Sequence, residues 1–74
     1  GSVSIELASE ASINLQISIR DLTGRVVMNE MARLSVGGNK ISLDATQLNE
    51  GYYNIEFMNV DAGVTLNEKL IVVD

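Results

Sequence analysis

An all-β fold, an immunoglobulin-like antiparallel β-sandwich of about seven short strands, is what this sequence predicts. Three observations carry the prediction. Residues 13–27 read INLQISIRDLTGRVV, in which Ile13, Leu15, Ile17 and Ile19 alternate with Asn14, Gln16 and Ser18, the period-2 signature of a strand with one buried face. Turn chemistry recurs at short intervals along the rest of the chain, and no stretch carries a convincing helical period. Proline is absent, so strand edges lack one common guard against unwanted pairing. A small closed barrel is the alternative architecture.

Taken in order, Gly1-Ser2 reads as the remnant of a cleaved tag and is set apart from a single domain over residues 3–74. Val3, Ile5 and Leu7 alternate with Ser4 and Glu6 as a first short strand. The small polar run 8–12 predicts a turn. The alternating strand from Ile13 follows and stops at Asp21, where Asp21-Leu22-Thr23-Gly24 supplies the reversal. An aspartate can hydrogen-bond its own backbone two residues on, and a glycine reaches positive φ without steric cost. The return strand, residues 25–33, is less regular. Val26, Val27 and Met28 are apolar on both faces, and Asn29 and Glu30 break each parity in turn, which points to a bulge near Asn29 or to burial of both faces. Leu34 and Val36 either continue this strand or form a short separate one.

Gly37-Gly38-Asn39 is a turn signal, followed by a strand over residues 40–44 with Ile41 and Leu43 on one face. Residues 45–50 are too few for a stable helix and suit one turn of 3₁₀. Gly51 ends it, and Tyr53, Ile55 and Phe57 then alternate with Asn54 and Glu56. Asp61-Ala62-Gly63 makes another hairpin turn. A last strand over residues 64–73 ends in the apolar run Leu70-Ile71-Val72-Val73.

Composition removes several classes of function. With 74 residues the chain is one domain, of a size that buries roughly 60% of its unfolded surface. There is no cysteine and no histidine, hence no disulfide framework, no thiolate or imidazole metal site and no Ser-His-Asp arrangement. Ten acids against five bases give a formal charge of −5, and Arg20, Arg25, Arg33, Lys40 and Lys69 are scattered. Phosphate backbones reward clustered cations, so no nucleic-acid partner is expected. No apolar run is long enough for a membrane span. Asp44, Glu50 and Asp61 lie far apart with no D-x-D-x-D-G loop, and fit a solvated acidic face better than a calcium site. Tyr52 is the one aromatic left facing outward, too little for an aromatic sugar platform. Paired carboxylates are the only catalytic chemistry at hand, and they fall on opposite faces without a pocket. The expectation is a non-enzyme with no cofactor and no metal.

Leu48-Asn49-Glu50-Gly51-Tyr52-Tyr53 holds the spacing Leu-x-x-Gly-x-Tyr immediately before a strand. In Greek-key sandwiches a tyrosine so placed turns its hydroxyl back to the connecting backbone, with Leu48 plugging the sandwich end and Gly51 permitting the bend.

The string ISIRDLTGRVV, then Leu34, Gly38-Asn39-x-Ile41-x-Leu43-Asp44, Leu48-x-x-Gly51-x-Tyr53 and the terminal Lys69-Leu70-Ile71-Val72-Val73, taken as an ordered series over nearly the whole chain, resembles the C-terminal sorting domain of type IX (Por) secretion cargo in Bacteroidetes. Two features depart from that pattern: the usual Tyr-Pro-Asn-Pro opening is missing, and Asp74 stands where a basic residue is common. The resemblance implies a non-catalytic export signal on a secreted or cell-surface cargo that passes through the periplasm and outer membrane. It implies two partners, the type IX translocon and a sortase-like peptidase that removes the domain. It puts recognition on Lys69, Leu70, Ile71, Val72 and Val73, and leaves Asp21, Gly24, Gly38, Leu48, Gly51 and Tyr53 as fold determinants. An apolar last strand without proline also suits strand addition by a partner, or a homodimer paired edge to edge. An accessory immunoglobulin-like binding or spacer module of an extracellular enzyme or adhesin is the alternative.

Overall fold

The computed structural model describes residues 2–73, so the expectations attached to Gly1 and to the acidic residue Asp74 lie outside the described residues. The elements are β1 (Ser2–Ser9), β2 (Ile13–Arg20), β3 (Val26–Leu34), β4 (Gly37–Asp44), β5 (Gly51–Asn59) and β6 (Val64–Val72). They form two antiparallel sheets, β1-β4 and β3-β2-β5-β6. The all-β part of the expectation holds: the described residues form strands in two antiparallel sheets.

The strand count is six rather than seven. No separate strand forms around Leu34 and Val36. Leu34 ends β3 as a buried core residue, and Ser35-Val36 is a short link with Val36 exposed. The Gly37-Gly38-Asn39 turn is likewise corrected. All three residues already lie in β4, opposite Ser9, Ala8 and Leu7. The reversal falls one residue earlier because Gly37 takes φ +103°, a conformation that disfavours any side chain. Gly38 lies outside that region, and nothing stands within 4 Å of where its Cβ would be. The Asn39 side chain braces the link: its Oδ1 accepts from the Ser35 N–H at 2.9 Å and its Nδ2 donates to the Ser35 carbonyl at 2.9 Å.

The irregular β3 also resolves. Ile19 faces Met28 and Arg20 faces Val26, so the extra residue is Val27, not one near Asn29. Both Val27 and Met28 then pack on the core, as a bulge permits. Residues 45–50 form a single turn, closed by the Leu48 N–H on the Ala45 carbonyl at 3.0 Å, with no 3₁₀ helix.

The core lies between the layers, where Leu15, Ile17 and Ile19 of β2 meet Ile55 and Phe57 of β5, Leu43 of β4 and Leu34 of β3. Ile17 and Ile19 are 1% exposed, and each such side chain contributes about 1.5–3 kcal/mol on burial. Val3, Ile5, Leu7 and Ile41 cover them from the smaller sheet. Two strands cannot roof four. Glu30 and Glu68 share the inner face with their partners Ile17 and Ile55, yet both are exposed. This uncovered margin explains why acids are tolerated at apolar parity on the outer strands.

Candidate functional site at the β6 edge

β6 pairs only with β5, and its other side is a sheet edge. Peptide N–H and C=O groups along such an edge point to solvent and can template a further strand. Three of the five terminal residues expected to carry recognition are exposed here. Lys69 is exposed opposite Asn54, and Ile71 is exposed opposite Tyr52. Leu70 and Val72 are half-buried opposite Tyr53 and Gly51, and Val73 lies exposed just past the strand. The structure therefore brings all five together at one end of one edge. It adds two residues that sequence reasoning missed: Val64 and Leu66, on the inner face of β6 and 65% and 54% exposed. Alternation alone could not single them out, because exposure follows from sheet order and from the short upper layer.

The connection between β4 and β5 supports this end of the edge. The Tyr53 hydroxyl donates to the Asn49 carbonyl at 2.7 Å, tying the start of β5 to the loop before it. Leu48 packs on the core from that loop, and Gly51 enters β5 with φ +153°. Val72 and Val73 share a surface hollow of about 550 Å³ with Ala45, Thr46, Leu48, Asn49 and Glu50.

At the opposite side of the same end lies the β2–β3 hairpin. Asp21 Oδ1 accepts from the Thr23 N–H at 3.0 Å, the Thr23 hydroxyl and the Arg25 N–H at 3.1 Å, while Oδ2 pairs with Arg25 Nε at 3.3 Å. Gly24, at φ +88°, completes the turn and donates to the Asp21 carbonyl. The Thr23 hydroxyl, with the two backbone donors and the Arg25 charge, holds the Asp21 carboxyl below the ordinary aspartate range. Thr46 does the same for Asp44, through its hydroxyl at 2.7 Å and its N–H at 3.0 Å. Both carboxylates are engaged in local turns, which is structural work.

The remaining chemistry is sparse. Asp44, Glu50 and Asp61 are not brought together: among the described residues no group of three or more His, Cys, Asp or Glu side chains could hold a metal ion. No helix among them is long and apolar enough to cross a membrane.

Neither the curated proteins nor the solved structures contain a match to this chain. The family model described as the secretion system C-terminal sorting domain matches residues 1–73. That family is the type IX export signal of Bacteroidetes cargo; it marks proteins for the cell surface or for secretion and is not known as catalytic. Two small antiparallel sheets with an open edge at β6 fit such a role. This chain belongs to the secretion system C-terminal sorting domains.

Proposed function

We propose that the type IX machinery reads this domain at the β6 edge, by adding a strand of its own to Lys69, Leu70, Ile71, Val72 and Val73. The observation that carries the reading is the position of β6: it is, like β3, an edge strand of the larger sheet, and it carries exposed apolar side chains on both faces, Val64 and Leu66 on one and Ile71 on the other. Backbone pairing gives affinity in such complexes, and alternate side chains give specificity. Asp21, Gly24, Leu48, Gly51 and Tyr53 act as determinants of the fold that presents this edge, with Gly37 taking the turn role expected of Gly38.

The same edge offers pairing to a second copy, so a homodimer paired edge to edge belongs to the same proposal. After export a sortase-like peptidase removes the domain, taken as a single unit over residues 3–74.

The finer fold assignment belongs to the same proposal. The order β1-β4 over β3-β2-β5-β6 is that of strands B and E over C′, C, F and G in an immunoglobulin-like sandwich. The Tyr53 bond falls at the corner before strand F, where that class has its tyrosine corner.

Export of a fluorescent protein fused ahead of this domain tests the reading in a type IX-competent host. Deleting residues 69–74, or the single change Ile71→Lys on an exposed side chain, is expected to abolish export while the Ile71→Lys domain keeps its urea midpoint. Normal export of both variants overturns the proposal.

A further inference from the structure

We infer that the outer face of the larger sheet carries a binding site for an acidic sugar unit, a ring-bodied ligand bearing one carboxylate or phosphate. The site shares Lys69 with the β6 edge but lies on the outer face of the sheet rather than along the hydrogen-bonding side of the strand. It is a cleft of about 390 Å³ lined by Arg20, Asp21, Leu22, Tyr52, Asn54 and Lys69, among others.

Register creates it. Arg20 faces Asn54 across β2 and β5, and Asn54 faces Lys69 across β5 and β6, so the three form one row on the outward face. Neighbouring strands lie about 4.8 Å apart, which sets the two cationic residues about 10 Å apart at their Cα atoms. Both residues line the cleft together with Asn54. In a chain with five basic residues and a charge of −5, two of the five meet here.

Neither Arg20 nor Lys69 makes an ion pair among the described residues, although the ionised Asp21 lines the same cleft. The ion pair found among the described residues is Arg25 with Asp21, and Asp21 is further occupied by Thr23 and the Arg25 N–H. Glu56, one row along the same face, makes no ion pair with Arg20 or Lys69. Glu50 lines the adjoining hollow beyond Tyr52, not this cleft. Arg20 spends one N–H on the Gly24 carbonyl at 3.1 Å and keeps the rest of its guanidinium for an anion.

The walls specify more than charge. One tyrosine is too little for a sugar platform by itself. Beside the two cations, however, Tyr52, 58% exposed, and Leu22, 81% exposed, add an aromatic face and an aliphatic side for the CH face of a ring. Asn54 donates through Nδ2 to Asn67 Oδ1 at 3.1 Å, which orients its own Oδ1 as an acceptor without a partner among the described residues. A cationic pair, an acceptor suited to a hydroxyl and an apolar wall together match an anionic group on a hydroxylated ring. A few placed polar groups within apolar walls are the usual make-up of a small-molecule site.

Amide chemical-shift titration of the 74-residue chain tests this, with glucuronate and glucose 6-phosphate as probes and glucose and inorganic phosphate as controls. The expected result is saturable shifts at Tyr52, Asn54 and Lys69 for both acidic sugars, with Kd on the order of 1 mM at low salt. Glucose and inorganic phosphate should bind at least tenfold more weakly. Lys69→Gln and Tyr52→Ala should each weaken both acidic sugars severalfold, and 1 M salt, where the screening length is about 3 Å, should do so for the wild type. Arg20→Gln is the less clean variant because it also removes the bond to Gly24. Binding of inorganic phosphate as tight as that of glucose 6-phosphate overturns the proposal, as does affinity unchanged by Lys69→Gln.

Discussion

Replacing Tyr53 by Phe removes one oxygen and leaves the ring that packs against the core. The lost interaction is the 2.7 Å bond from the hydroxyl to the Asn49 carbonyl. A neutral hydrogen bond contributes about 0.5–1.5 kcal/mol net, and more is lost where the abandoned partner stays dry. Asn49 is exposed, so water can reach its carbonyl and the cost should stay near 1 kcal/mol. For a domain of this size that corresponds to a fall of about 4–8 °C in Tm. Urea unfolding followed by circular dichroism is the assay, with a lower midpoint and an unchanged m-value expected. Tyr52→Phe is the internal control: that side chain is exposed and its hydroxyl makes no bond among the described residues, so the effect should stay within about 0.5 kcal/mol. Equal midpoints for the two variants would refute the view that the hydroxyl clamps the entry to β5.

Two further outcomes test the layers and the turns. Ile17→Val at a 1%-exposed site should cost about 0.5–1.5 kcal/mol, whereas Val64→Ala on the uncovered margin should fall within about 0.5 kcal/mol; matching losses in urea would mean that β6 is roofed after all. Asp21 and Asp44 both have folded pKa values below their ordinary one of 3.8, so their stabilisation is complete above that value and is lost as pH falls through the lower, folded values. The urea midpoint should therefore be less acid-sensitive below pH 3.8 in an Asp21→Asn, Asp44→Asn double variant, and parallel decline with the wild type would sink the assignment.

Much of the architecture was legible where one face is buried along a whole strand. In β2 and β5 every second residue meets the core, so Ile13 to Ile19 and Tyr53 to Phe57 alternate cleanly. The tyrosine spacing was equally readable, because a loop of fixed length sets the reach of the hydroxyl back to Asn49. Legibility failed where a neighbouring element decides the outcome. Gly37-Gly38 looks like a two-glycine turn, but the bracing Asn39 side chain and the β1 ladder draw Gly38 into β4. Glu30 looked like a break in β3, although it sits in regular register beneath an absent roof. The cationic row was invisible for a related reason. Arg20, Asn54 and Lys69 are distant in sequence and become neighbours only through two separate strand pairings.

The β1–β4 ladder sets Ser2 opposite Asp44 and Ser9 opposite Gly37, so its closest partners are separated by the entire β2–β3 hairpin. That ladder therefore cannot zip from a local turn, as β5 and β6 can. Its ends must first be brought together by the hairpin already being in place. Chains dominated by such distant pairings reach the native state in milliseconds to seconds rather than microseconds. The β2–β5 pairing waits on a closure at least as long, from Arg20 to Asn54 at its nearest, so both layers depend on long-range closure and Ile17 and Ile55 leave water only when the two closures have both been made.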